Sequence, residues 1–500
     1  MKKTRLFSLI GVALLLVLTA LPAFAADPNP GSGNTDVVVV NTNQNTSASP
    51  ADVTAVYYNV NGGIEYQRPV QINPRGQFIF RAADTTLGDN WIGSMVLQSD
   101  YELAAIAEIT WTGGSSADGT TAGAYRGYAF GATTMYLPYI VRAPNAQFTR
   151  VTVQNTTPDT ATIRMEYFNR DGVKDFTIDD TIPGLGSKTY AMNQPGGKVP
   201  DLMATSYAAA RGNWTGGMKI TSLNGKEIAA VATNHWQQYA VAYNGTSSGA
   251  TRQFVPSVSR RYVDPPTISS NWREFTIINA QCLEASGSCA VKIEYFDAFT
   301  GNKVLELNRT IVAGAALGAN TRAGGDFDPS VFNPLGNNFA GSAIVSTTNN
   351  TQIAVVVQSI RPFTNVAYST SGANASEAGT ETFLPAVYQR NTAGTSCAAD
   401  AQWTTFSLIR IQNPTNNNAN DVDIYYFNQN GSQALAQLNN TIQAGKSLNR
   451  NTRVMCNEIT LGGNWTGSVY IRSDQPLVAV VENVWGNVKA MGYNGYSVTR

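Results

Sequence analysis

His235 is the single histidine of this 500-residue chain. A Ser-His-Asp site could therefore be built only around it. Its surroundings, Asn234-His235-Trp236-Gln237-Gln238-Tyr239, match no catalytic pattern, and no Gly-x-Ser-x-Gly elbow occurs. The expectation is a surface or partly packed imidazole. Asp179-Asp180 and Asp326-Phe327-Asp328 offer hard oxygen ligands for Ca²⁺, but neither follows a defined loop spacing. They read more simply as solvated loop acids. A glycosidase needs only two carboxylates, which composition does not exclude. The fourfold repetition set out below argues against one, because an active site belongs more naturally in a single dissimilar domain. No catalytic residue, no cofactor and no metal site is expected.

Four cysteines remain, Cys282, Cys289, Cys397 and Cys456. Metal binding is a weak reading of them, with no Cys-x-x-Cys and only one histidine to help. Disulfides are the stronger reading, and they suit an oxidising compartment. Of three possible connectivities, Cys282 with Cys289 and Cys397 with Cys456 is favoured, because each bridge then stays inside one repeat.

The compartment is also suggested by the N-terminus. Lys2, Lys3 and Arg5 precede an apolar run from Leu6 to Leu21, and Ala23-Phe24-Ala25 forms a small-residue cleavage site. Residues 1–25 are read as a secretory signal peptide. No later segment has the apolar length to span a bilayer. Lys+Arg and Asp+Glu both number 34, so nothing electrostatic favours nucleic acid or an anionic membrane as partner. Charged residues make up 14% of the chain, against about 25% in ordinary soluble domains. In their place stand 46 asparagines and about 50 threonines, while hydrophobics at 43% are enough for packed cores.

The elements that position these residues come in four copies. An apolar strand ends in a polar corner at Val40-Asn41-Thr42, Val153-Gln154-Asn155, Ile277-Ile278-Asn279 and Ile411-Gln412-Asn413. An aromatic, β-branched strand follows and runs into a turn at Gly62, Gly172, Gly301 and Gly431, spaced 110, 129 and 130 residues apart. Asn-Gly and Asp-Gly after such a strand signal a hairpin, because the turn needs positive φ. Next come Asn90-Trp91-Ile92-Gly93, Asn213-Trp214-Thr215-Gly216, Phe339-Ala340-Gly341 and Asn464-Trp465-Thr466-Gly467. A closing tyrosine stands at Tyr125, Tyr243, Tyr368 and Tyr493, and Leu137-Pro138, Val255-Pro256 and Leu384-Pro385 open the next unit. Trp91, Trp214, Phe339 and Trp465 are read as core anchors; an exposed sugar-stacking platform is the sharper alternative.

With no segment of helical period, this pattern predicts an all-β chain of four tandem antiparallel β-sandwich domains after the signal peptide. A linker at 26–35 precedes repeats at 36–131, 132–250, 251–375 and 380–500. Thr246–Thr251 and Ser371–Thr380 are expected to be linkers, and Gly113–Gly123 a mobile insertion. The landmark order resembles the tandem immunoglobulin-like β-sandwich repeats of secreted bacterial surface proteins. That resemblance covers roughly residues 36 to 500. It implies an extracellular structural or adhesive role and carries over no active site.

The expected function is thus a secreted structural protein of the cell surface, in a sheath, surface layer, appendage or matrix. The alternative is an adhesin or carbohydrate-binding array with avidity from linked copies. Partners would be the chain itself, other surface proteins or glycans, with no nucleic acid. Four domains in a row predict a monomer about 140 to 160 Å long, stiff or loosely jointed. The Leu-Pro or Val-Pro strand precedes only repeats two to four. Either repeat one lacks a leading strand or repeat four a trailing one, and a terminal unit is expected to present an open sheet edge.

Overall fold

The computed structural model describes residues 27–116, 119–263, 271–394, 397, 402–486 and 488–498. The signal peptide assigned to residues 1–25 lies outside the described residues. The first repeat comprises β1 (Ser32–Asn41), β2 (Ala51–Asn59), β3 (Ile64–Ile72), β4 (Gln77–Phe80), β5 (Gly93–Ser99), β6 (Leu103–Thr112) and β7 (Thr120–Arg126). They form two sheets, ordered β3-β2-β5 and β4-β1-β6-β7. The second comprises β8 (Thr134–Ala143), β9 (Gln147–Asn155), β10 (Ala161–Asn169), β11 (Lys174–Ile182), β12 (Ser187–Ala191), helix α1 (Ser206–Arg211), β13 (Trp214–Ser222), β14 (Ile228–Trp236) and β15 (Ala240–Asn244). Its order is β11-β10-β13-β8-β9-β14-β15, with β12 on β9.

The third repeat adds β16 (Arg252–Tyr262), β17 (Trp272–Cys282), β18 (Ser288–Asp297), β19 (Lys303–Val312), β20 (Ala316–Asn320), β21 (Gly324–Gly325), β22 (Asn338–Thr347), β23 (Ile353–Arg361), β24 (Val366–Ser371) and β25 (Ala373–Asn374). The fourth adds β26 (Gly379–Asn391), β27 (Trp403–Gln412), β28 (Ala419–Asn428), β29 (Gln433–Ile442), β30 (Ser447–Asn451), β31 (Asn464–Trp485), β32 (Lys489–Asn494) and β33 (Tyr496–Val498). The strand order of repeat two recurs in both, as β19-β18-β22-β16-β17 and β29-β28-β31-β26-β27. The protein is nearly all β, in antiparallel sheets, and among the described residues no helix is long and apolar enough to cross a membrane.

The leading strands β8, β16 and β26 join the two halves of their repeats, and each breaks register at its proline. Gly216 pairs Ile140 and Met218 pairs Leu137, which leaves Pro138-Tyr139 without ladder partners. Pro256-Ser257 and Pro385-Ala386 are skipped in the same way. A bulge tolerates proline because no N–H is needed there. The stranded backbone groups are met by a tyrosine: Tyr243 Oη donates to Tyr139 O at 2.6 Å and accepts from Tyr139 N at 3.3 Å. Tyr493 Oη does the same for Ala386, at 2.6 and 3.1 Å.

Register corrects two of the sequence landmarks. Tyr125, Tyr243 and Tyr493 face Ala107, Ala232 and Val481, and the matching pair in repeat three is Val357 with Thr370. Tyr368 lies two residues earlier and instead hydrogen-bonds Ser257 Oγ at 2.9 Å. The polar corner of repeat three is Cys282, opposite Ile353 as Asn155 is opposite Ile228; Asn279 lies three residues upstream. Where Asn155 Nδ2 donates to Asp159 O at 2.7 Å, and Asn413 Nδ2 to Asn417 O at 2.7 Å, Cys282 is bonded to Cys289. The bridge is a covalent version of the asparagine staple.

The repeats do not run out into a rod. Their last strands pack in a cycle: β7 on β15, β15 on β24, β24 on β32 and β32 back on β7. Three of the four joints share one backbone hydrogen bond. Ser187 N donates to Val60 O at 3.3 Å between repeats one and two, and Ala316 N to Arg170 O at 3.4 Å between two and three. Gln77 N donates to Gln429 O at 2.9 Å, closing repeat four onto repeat one. Tyr128 Oη donates to Ala230 O and to Gly245 O, 2.8 Å away, from repeat one into two. Tyr496 Oη makes the matching bonds to Ala105 O and Gly127 O, from repeat four into one.

The segments expected to be linkers belong to these joints. Thr246 exchanges backbone hydrogen bonds with Tyr136, Ala250 does so with Ile353, and Asn374 caps a short helical turn in a capping box with Glu377. Thr120–Gly123, placed in the mobile insertion, lies in β7 with full pairing to β6. A six-residue helix, α1, also escaped a reading by period. It is set by its ends, a Thr205 N-cap on Ala208 N and Gly212 at φ 72°.

Candidate functional site: the cleft between the first and last repeats

A cleft of about 680 Å³ opens where repeat four meets repeat one. Asp36, Ile79, Arg81 and Glu108 line it from the first repeat, and Tyr388, Arg390, Asn428, Asn430, Asn464 and Trp485 from the fourth. A second cleft of about 460 Å³ shares Ile79, Arg81, Gln429 and Asn430 with it. The β28 hairpin supplies Asn428 and Asn430, and the start of β31 supplies Asn464. Asn428 accepts the indole N–H of Trp465 at 2.9 Å, and Gly431 takes φ 86° so that the turn can close. Arg390 Nε donates to Asn464 Oδ1 at 3.3 Å.

Glu108 sits at the base of the joint, half-buried on β6. Tyr388 Oη donates to its Oε2 at 2.9 Å and Asn483 Nδ2 to its Oε1 at 3.4 Å. Burial pushes its carboxyl up to about 7, against the pull of those two bonds and with a further push from Asp36. Asp36 is itself raised by burial, although it accepts the Ala82 N–H at 3.0 Å. Near neutral pH Glu108 is thus divided between a carboxylate that accepts and an acid that donates. With the amides and the half-buried Trp485, the cleft can hydrogen-bond neutral hydroxyl-bearing groups and pack an apolar face.

A second buried cluster locks repeats three and four. Arg361 donates to Glu274, at 3.2 Å, and to both oxygens of Glu482, one of them at 2.7 Å. Arg410 lies 3.7 Å from Glu482 and donates to Ser257 Oγ at 2.7 Å and Tyr368 Oη at 3.0 Å. Glu274 and Glu482 are 3% and 1% exposed. By register Glu482 corresponds to Glu108, each next to the residue that faces the closing tyrosine. The signal was present in the sequence, as single carboxylates in the apolar runs Leu103-Ala104-Ala105-Ile106-Ala107-Glu108 and Val478-Ala479-Val480-Val481-Glu482. No motif marks it.

The residues expected to matter are scattered. His235 is buried rather than at the surface, between Trp111 and Phe148, with Nε2 3.0 Å from Thr233 Oγ1. Burial lowers its pKa to about 3, with Arg150 adding to the shift, so the ring is neutral. Asp179 is held by Arg164, Asp180 by Lys188 and Tyr190, and Asp326 by Arg170 across the joint of repeats two and three. Asp328 caps a 3₁₀ turn through Ser330 N. Among the described residues no group of three or more acids, cysteines or histidines could hold a metal ion. Cys397 is bonded to Cys456.

Trp214, Phe339 and Trp465 are buried and Trp91 is half-buried. Trp91 and Trp214 give their indole N–H to Glu65 and Asp175, on the strands after the hairpins at Gly62 and Gly172. All four hairpin glycines, Gly62, Gly172, Gly301 and Gly431, take positive φ.

No family model matches the chain, and no curated protein matches it. Among solved structures, a tetra-tandem repeat in the extending region of a large adhesion protein aligns at 10% identity and a TM-score of 0.10. The alignment covers 93% of this chain and 95% of that one. At that score the likeness carries no argument.

Proposed function

We propose that the chain is a secreted, non-catalytic structural component of the bacterial cell exterior, of the sheath, surface-layer, appendage or matrix kind. Residues 1–25 act as its signal peptide. Its four repeats, 36–131, 132–250, 251–375 and 380–500, are immunoglobulin-like β-sandwich domains closed into one body. The observation that carries the reading is where the repeat aromatics go. Trp214, Phe339 and Trp465 are buried in their own repeats and Trp91 is half-buried, and the rings left exposed among the described residues, Phe130, Phe299 and Phe363, are phenylalanines in loops and short turns. Carbohydrate platforms present Trp or Tyr faces to solvent. Two disulfides suit an oxidising compartment.

Electron microscopy of the native cell surface, labelled for this chain, tests the reading. An ordered array or coat is expected; its absence from the surface would refute the structural role. The second reading, a glycan-binding adhesin, is favoured by one feature, the amide- and carboxyl-lined cleft beside Trp485. Binding on a glycan array that Trp485→Ala abolishes would move the assignment to it.

A further inference from the structure

In repeats two to four the strand that opens with the core aromatic is paired on both sides. β13 lies between β10 and β8, β22 between β18 and β16, and β31 between β28 and β26. In repeat one the corresponding strand, β5, pairs only with β2 among the described residues. Of the two open ends expected from the sequence, repeat four is closed by its own tail, since β33 pairs with β26. Among the described residues the open edge belongs to repeat one.

The intact repeats show what is missing. The leading strands bury Met135, Leu137 and Ile140, or Val255 and Val258, or Leu384 and Val387, between the two sheets. With no such strand among the described residues, Trp91, Met95 and Leu97 at the mouth of the first core are partly exposed. Tyr125 carries a second, independent mark. It stands in the register of Tyr243 and Tyr493, whose hydroxyls hold the bulge of the leading strand, yet its own hydroxyl bonds no described residue.

We propose that the free edge of β5 is an acceptor site for one β-strand donated by a different polypeptide, an extended segment patterned apolar-Pro-x-apolar as in β8, β16 and β26. It would lie antiparallel to β5 as β8 does to β13, with apolar side chains inserted beside Met95 and Leu97 and its bulge held by Tyr125. The described leading strands of a second copy are poor donors, because each already completes a repeat. The slot stands whether the body serves as a coat or as an adhesin.

The test is hydrogen–deuterium exchange on the full chain with a synthetic peptide of residues 134–143. The peptide is expected to slow exchange in Gly93–Ser99 by about tenfold or more while leaving Trp214–Ser222 unchanged. A peptide carrying Leu137→Asp and Ile140→Asp should do nothing. Tyr125→Phe should weaken binding about tenfold, the loss of roughly one hydrogen bond. A Met95→Asp chain should not bind, and if that variant fails to fold the Tyr125→Phe comparison still decides. No protection of β5, or equal protection by the aspartate peptide, would overturn the proposal. So would β5 already protected in the chain alone, whether in a dimer or in a monomer that accepts the peptide only after residues 1–26 are removed.

Discussion

Glu108 shows how a single side chain makes the first-to-last joint depend on pH. Its carboxyl titrates near 7 in the fold against an ordinary 4.5, so the folded chain holds its proton over a window in which the unfolded chain has lost it. Stability contributed here is therefore greatest below pH 4.5 and falls as pH rises to 7. The full cost above that window is on the order of 3 kcal/mol. Glu108→Gln is expected to raise stability by about 2 kcal/mol at pH 8 and to change it little at pH 4.5, read as urea midpoints. Arg361 sits in the opposite position, as the cation between two buried acids. Arg361→Met should cost about 3 to 5 kcal/mol, because Glu274 and Glu482 are left buried and facing each other. Equilibrium urea unfolding at pH 7 measures that loss.

At the scale of elements, the leading strand and its tyrosine form one device. Proline forces a bulge, the bulge strands an N–H and a C=O, and the hydroxyl of Tyr243 or Tyr493 takes both. Tyr243→Phe and Tyr493→Phe should each destabilise by about 1 to 3 kcal/mol, the cost of unpaired buried backbone groups. Tyr125→Phe should be neutral in the isolated chain, where the hydroxyl has no such duty. Thermal unfolding of the three variants side by side makes the comparison, and an equal loss at Tyr125 would count against an empty slot. The strand types and turns were legible in sequence, because alternation and Asn-Gly or Asp-Gly are local signals. The correspondence of Cys282 with Asn155, and of Thr370 with Tyr243, was not. It is set by which residue lies opposite across the ladder, and residue type misleads when chemistry has been exchanged at a fixed position.

For the whole molecule the consequence is closure. A compact chain of this length has a radius of gyration of about 23 Å, whereas a rod about 150 Å long would give about 43 Å. Small-angle scattering is expected to fall near the lower value. Tyr496→Ala removes the bonds to Ala105 O and Gly127 O that tie the last repeat to the first. It should raise the radius or split the unfolding transition while each repeat keeps its strands, as followed by circular dichroism. Local periodicity and turn chemistry determined by themselves that the chain is β-rich and repeated, since every strand needs only its own residues to declare a two-residue period. Only the tertiary structure decided that the repeats close on themselves, that Glu108 meets Tyr388 from 280 positions away, and that among the described residues one repeat keeps an open edge. These are contacts between surfaces distant in sequence, and their partners carry no local signature because each surface is defined by the packing of several strands at once.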